Sequence, residues 1–167
     1  MGASSWSYWT AYGEGPAAAL RDLRARVFRS GDYLGPGGRA WGKPRDLRRR
    51  PKTIEALIAA QGENQTHSIL DVVHLSVDGG PPRAVKKEWN PLLQMEAFVV
   101  VEGGECRVLS DEQLKNAFGT AHPTRPMIEA FDLNQLDELW SVHDSLCFTA
   151  WDETKPVELF FVGTSGD

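Results

Sequence analysis

Near the C-terminal end of the chain two apolar runs, Leu146 to Trp151 and Val157 to Gly163, flank Asp152-Glu153-Thr154-Lys155-Pro156. That intervening stretch is turn chemistry. Asp and Thr side chains bond to their own backbone, and Pro cannot serve a central ladder. The two runs therefore pair as an antiparallel hairpin, and the rest of the chain must pack around a sheet that contains it. A second hairpin is read in Ala97-Phe98-Val99-Val100-Val101 and Cys106 to Leu109, turned by Gly103-Gly104. Trp6 to Tyr12 alternates aromatic and small residues imperfectly and reads as a strand. Ser68 to Val77 is rich in Ile, Leu and Val, and strand is preferred there over helix.

Helices fill the intervals. Pro16 suits a first helical position, Leu20, Leu23, Val27 and Phe28 recur at helical spacing, and Gly31 ends the run. Pro51, Thr53 and Glu55 open a short helix carrying Ile54, Leu57 and Ile58. Ser110 caps another, with Asp111 and Glu112 in its first turn and Gly119 at its end. The clearest amphipathic pattern runs over 126–140, where Met127, Ile128, Phe131, Leu136, Leu139 and Trp140 share a face. Hairpins dominate this order and repeated βαβ units are absent. The expectation is an α+β fold: a mostly antiparallel sheet with helices packed on one face, in a single compact domain.

A chain of 167 residues can bury a core without metal or disulfide. Its net charge of −5 disfavours nucleic acid and anionic membranes as partners of the whole protein. Cys106 and Cys147 lie far apart and form no CxxC unit, so two reduced thiols are expected. Without a leader pattern or a long apolar run, cytoplasmic residence is the expectation.

The segment at about 35–51 departs from this average. It opens on Gly35-Pro36-Gly37-Gly38 and has no sustained period, which reads as a mobile basic surface loop. Residues 39–52 hold seven of the 18 Lys and Arg and one of the 23 acids, a local charge of +6 that leaves −11 on the remainder. Such a loop can solvate, fold on its own protein, meet an acidic protein partner, or grip phosphates. Trp41, Arg45, Arg48, Arg49 and Arg50 are its candidate partner-binding residues, because a large aromatic on a loop marks contact.

The sharpest candidate for chemistry is His67-Ser68-Ile69-Leu70-Asp71-Val72-Val73-His74. On a helix, His67, Asp71 and His74 would share a face and resemble a metal site. On a strand, His67 and Asp71 share a face and His74 points away, which dissolves the triad. The strand reading leaves two options: a polar strand end with hydrogen-bonded histidines, or an acid/base pair in which Asp71 orients His67. No metal or cofactor is assigned. No nucleophile elbow, phosphate loop or dinucleotide fingerprint is present. His143 and Cys147 read as a surface histidine and a core thiol. Trp6, Trp9, Trp140 and Trp151 are expected to line one core, with Trp89 as a loop anchor. The alternative is an aromatic-walled pocket for a small molecule, with His67 or Tyr12 as its polar group.

Trp6-Ser7-Tyr8-Trp9, Arg26-Val27-Phe28-Arg29-Ser30-Gly31-Asp32-Tyr33, Thr66-His67-Ser68-Ile69-Leu70-Asp71 and Phe160-Phe161-Val162-Gly163-Thr164-Ser165-Gly166-Asp167 together resemble a group of small, uncharacterised bacterial proteins of actinobacterial type. The resemblance implies a compact bacterial domain and carries over no activity and no site residue. Two expectations follow for function. The first is a small cytosolic partner-binding or accessory protein of immunity or regulatory type, non-enzymatic, with a protein as partner. The second is a small enzyme or ligand-binding protein whose aromatic-lined pocket uses His67 and Asp71.

Overall fold

A computed structural model describes residues 4–35, 39–40, 50–61, 65–76, 86–90, 95–99, 104–136 and 145–165. Strand β1 is Ser4–Ala11, and helix α1 is Pro16–Ser30. Pro16 opens α1, and Gly31 closes it in the left-handed region at φ 77°, where glycine carries no Cβ penalty. Two short strands follow, β2 at Leu34–Gly35 and β3 at Arg39–Ala40, paired with each other. Helix α2 spans Ile54–Gln61, with the Thr53 hydroxyl accepting from the Ala56 N–H (3.1 Å). A single 3-10 turn, Ile69–Asp71, leads into β4, Val72–Ser76.

Beyond it come β5 (Lys86–Asn90), β6 (Met95–Val99) and β7 (Gly104–Val108). Helix α3 is Asp111–Phe118, opened by a capping box between Ser110 and Gln113 and ended by Gly119. Helix α4 is Arg125–Glu129, followed by a 3-10 turn at Leu133–Leu136. The chain finishes with β8 (Ser145–Asp152) and β9 (Lys155–Ser165). Among the described residues no helix is long and apolar enough to cross a membrane.

The expected C-terminal hairpin is present, Leu146 facing Val162 and Phe148 facing Phe160. The fold is α+β, but its main sheet is mixed rather than mostly antiparallel. Its order is β1-β9-β8-β7-β4, with β1, β9 and β8 antiparallel and β8, β7 and β4 parallel. The parallel pair β7 and β8 needs a crossover, which α3 and α4 supply. The second hairpin is also corrected. The partner of β6 is β5, while β7 belongs to the main sheet. Trp89 accordingly lies on a strand and not in a loop.

Helices cover both faces of the sheet, not one. On one face α1 and α2 bury Leu20, Leu23, Val27 and Leu57 against Val72, Cys106, Cys147, Leu159 and Phe161. On the other, Leu114 of α3 and Ile128 of α4 pack on Leu146, Phe148, Ala150 and Val162. The reason is legible in β8 and β9. Leu146-Cys147-Phe148 and Leu159-Phe160-Phe161-Val162 do not alternate apolar with polar, as a strand with a wet face would. Trp6 and Trp9 go to opposite faces, and so do not line one core; Trp140 lies outside the described residues.

The late helix is shorter than its pattern. After Glu129 the chain bends, the Phe131 N–H reaching the Ile128 carbonyl at 3.2 Å, and Asp132 starts a new 3-10 turn through the Gln135 N–H (3.0 Å). Phe131 still reaches the expected face, half-buried, with its ring 4.6 Å from that of Phe118.

One glycine ties the central strands together. Gly163 sits opposite Trp6 in β1 and Ser145 in β8. A Cβ there would lie inside the Trp6 indole. Gly163→Ala should therefore lower unfolding free energy by about 1–3 kcal/mol through overpacking. Phe131→Ala should cost less than the roughly 3–5 kcal/mol of a fully buried aromatic. Denaturant unfolding of the two variants checks both, and a neutral Gly163→Ala would contradict the Trp6 packing.

Candidate functional site

Three pieces of chain converge beyond the C-terminal end of α1. The first is the beginning of β1, which supplies Trp6, Ser7 and Tyr8. The second is the turn out of α1, with Gly31, Asp32, Tyr33 and Leu34. The third contributes His67. Together they line a cleft of about 390 Å³. Local chemistry places each piece. The Ser30 hydroxyl accepts from the Asp32 N–H (3.3 Å), and the Tyr33 ring stacks on Phe28 at 5.9 Å and 10°. The Leu34 N–H donates to the Thr66 carbonyl (2.9 Å), and Gln61 Nε2 to the Leu34 carbonyl (2.7 Å), so the first strand residue after the turn is tied to the His67 segment and to α2.

His67 has φ 53°, in the left-handed region that a side-chain-bearing residue enters at a cost of about 1–2 kcal/mol. Asp71 accounts for how this backbone is held. Its Oδ1 accepts from the Thr66 N–H (2.7 Å) and its Oδ2 from the Ser68 N–H (3.4 Å), so one carboxylate clasps the residues on either side of His67. The Ser68 hydroxyl caps the Leu70 N–H (3.2 Å) and shares a hydrogen bond with the Thr66 hydroxyl (2.8 Å). Ser165 Oγ donates to Asp71 Oδ2 (3.1 Å) and accepts from Trp6 Nε1 (3.2 Å). Thr66, Ser68 and Ser165 are all buried, which strengthens these bonds and makes losing one costly.

Over 67–76 the chain is thus neither the expected strand throughout nor an α-helix. Ser68 caps a 3-10 turn and the strand starts at Val72. Asp71 stands behind His67 rather than in the wall of the cleft. His74 lies on β4 opposite Glu105, and among the described residues no group of three or more His, Cys, Asp and Glu could hold a metal. Tyr12, the other expected polar group, does not line this cleft; it borders a second depression, of about 350 Å³, at the β1–α1 turn.

Electrostatics at the cleft are uneven. Burial, then the charges of Asp32 and Asp71, push the Tyr8 phenol up to about 12 from its ordinary 10. Arg24 donates to the Leu70 carbonyl (3.3 Å), and burial pulls its guanidinium below the ordinary value against the pull of Glu55 and Asp71. Burial also pushes Cys106 up to about 12 and raises Cys147 well above its usual value. Both are free, buried thiols, and a protonated buried thiol is a poor nucleophile. Cys147 is the core thiol expected; His143 lies outside the described residues.

Of the basic segment, Arg50 is described and Trp41, Arg45, Arg48 and Arg49 lie outside the described residues, as does most of 36–49. The Arg50 guanidinium sits 4.8 Å from the Phe28 ring centroid and donates to the Arg29 carbonyl (3.2 Å). It is folded onto the end of α1, one aromatic ring away from Tyr33. Sequence reasoning missed Asp32 and Tyr33 as cleft residues; the signal available was the helix-ending Gly31 just before them. Compared with protein-family models, curated proteins and solved structures, the chain matches none of them.

Asp71→Ala removes three hydrogen bonds to a charged acceptor and should cost about 2–4 kcal/mol, with Asp71→Asn in between because its amide keeps one acceptor oxygen. Urea unfolding checks the order. Tyr8 makes a separate prediction. A phenol whose pKa is higher folded than unfolded stabilises the fold fully below pH 10, and that contribution is lost as pH rises from 10 towards 12. In an alkaline titration followed by phenolate absorbance, Tyr8 should ionise near 12, and Asp32→Asn should lower that midpoint.

Proposed function

We propose that this chain is a cytosolic ligand-binding protein that takes a small molecule in the cleft between β1, the α1 turn and His67. The observation that carries the reading is the conjunction of an aromatic wall, Trp6, Tyr8 and Tyr33, with one histidine held in a strained backbone by a dedicated carboxylate. Rings supply contact area, and a few polar groups orient what binds. Strain of this kind persists where the surroundings over-determine it, and it clusters at functional sites. The cleft asks for no reaction. Asp71 spends both oxygens on the turn and on Ser165, so it acts as a positioning residue that sets His67 in the wall of the cleft.

A second reading keeps the protein partner. It rests on charge segregation, +6 over 39–52 against −11 elsewhere, which suits an acidic protein surface approaching the Arg50 side of α1. On this reading the chain is an accessory protein.

A panel of small amines, acids, sugars and nucleosides, followed by amide chemical shifts on the whole chain, tests the first reading. Binders should move Ser7, Tyr8, Asp32 and His67 together. His67→Gly separates binding from folding. Glycine adopts φ 53° without strain, so stability should stay within about 1 kcal/mol of the parent while affinity falls. Shifts scattered over the surface, or binding that survives His67→Gly, would overturn the assignment.

A further inference from the structure

We propose that the ligand class of this cleft is a small organic cation, an alkylammonium with an apolar face; the inference rests on the cleft being a binding site. Trp6 and Tyr8 meet with centroids 6.0 Å apart and planes tilted by 42°, forming a corner rather than a flat stack. The Trp6 indole N–H is committed to Ser165, so the ring surface is what Trp6 offers the cleft. Aromatic faces are negative and attract a cation through the ring quadrupole, Trp and Tyr more than Phe. Tyr33 also lines the cleft, its ring buried and stacked on Phe28, so the corner of Trp6 and Tyr8 carries the contact.

Charge completes the case. Asp32 lies exposed in the lining, and among the described residues no side chain pairs with its carboxylate. Its charge and that of Asp71 both reach the Tyr8 phenol, so this end of the cleft is at negative potential. Arg24 donates to the Leu70 carbonyl, and Arg50 lies on the Phe28 ring and the Arg29 carbonyl, where its charge acts on Tyr33, whereas Tyr8 feels the two carboxylates. An anion would enter against Asp32, whereas an ammonium would meet a carboxylate at the rim and rings behind it. No covalent step is involved.

The test uses the whole chain and three probes: choline, its uncharged carbon isostere dimethylbutanol, and inorganic phosphate. Tryptophan fluorescence and the amide shifts of Ser7, Tyr8, Asp32 and His67 are the readouts. Choline should saturate and move those amides, with the isostere about tenfold weaker or worse, the expected penalty for losing a desolvated cation–π contact. Asp32→Asn should weaken choline by about twofold to fivefold, the loss of an exposed charge attraction, and leave the isostere unchanged. Equal affinity for choline and the isostere, or phosphate moving these amides where choline does not, would overturn the cation and leave the cleft a binding site for another class. Failure of all three probes at these amides would overturn the cation as well. The cleft would then stand or fall on the broader ligand panel.

Discussion

The Asp71 carboxylate is the contact on which the rest of the site depends. One side chain gathers the Thr66 and Ser68 amides from its own turn and the Ser165 hydroxyl from the last strand. Through Ser165 it also holds the Trp6 indole of the first strand. The first strand, the last strand and the turn between α2 and β4 are therefore joined at one charge. Because hydroxyls and amides that are buried must find partners, the network cannot relax one member at a time. His67 is carried to the cleft as a consequence of this closure.

That closure depends in turn on an absence of side chain. At Gly163 the Trp6 ring lies where any other residue would place its Cβ, which lets the indole reach down to Ser165 two residues further along the same strand. On the opposite sheet face the arrangement is of another kind. Arg125 holds Glu129 and Glu158 at 2.7 and 2.9 Å and lies 4.5 Å from the Trp9 ring centroid, all at the surface. Exposed pairs of that sort contribute little to stability. The two sides of the sheet are thus unequal, one closed by a buried polar network and one by hydrophobic packing under a charged rim.

Much of the fold was legible because it is set by short-range chemistry. Pro16 and Gly31 bound α1, Ser110 and Gly119 bound α3, and the turn at Asp152 to Pro156 joins β8 to β9. What misled was strand pairing. The glycines at 103–104 looked like a hairpin turn, yet β7 pairs in parallel with strands from both sides of the sequence. Nothing local distinguishes a strand that turns back on its neighbour from one that enters a sheet beside distant partners. The helix pattern over 126–140 misled in a related way. Ile128, Phe131 and Leu133 reach the sheet by way of a helix, a bend and a 3-10 turn, while Met127 is left exposed.

His67 and Asp71 were singled out from their spacing, but their relation was not. Whether four residues apart means one helix face, one strand face or a clasped turn depends on Ser165, which is 94 residues away from Asp71. The sequence alone determined the caps, the turns, the apolar runs and the acidic balance, because each is an interaction within a few residues or a sum over all of them. The tertiary structure alone decided the mixed sheet, the helices on both its faces, and the meeting of Trp6, Tyr8, Asp32, Tyr33 and His67 in one cleft. Those depend on which distant surfaces exclude water from each other, and burial of apolar area is blind to separation along the chain.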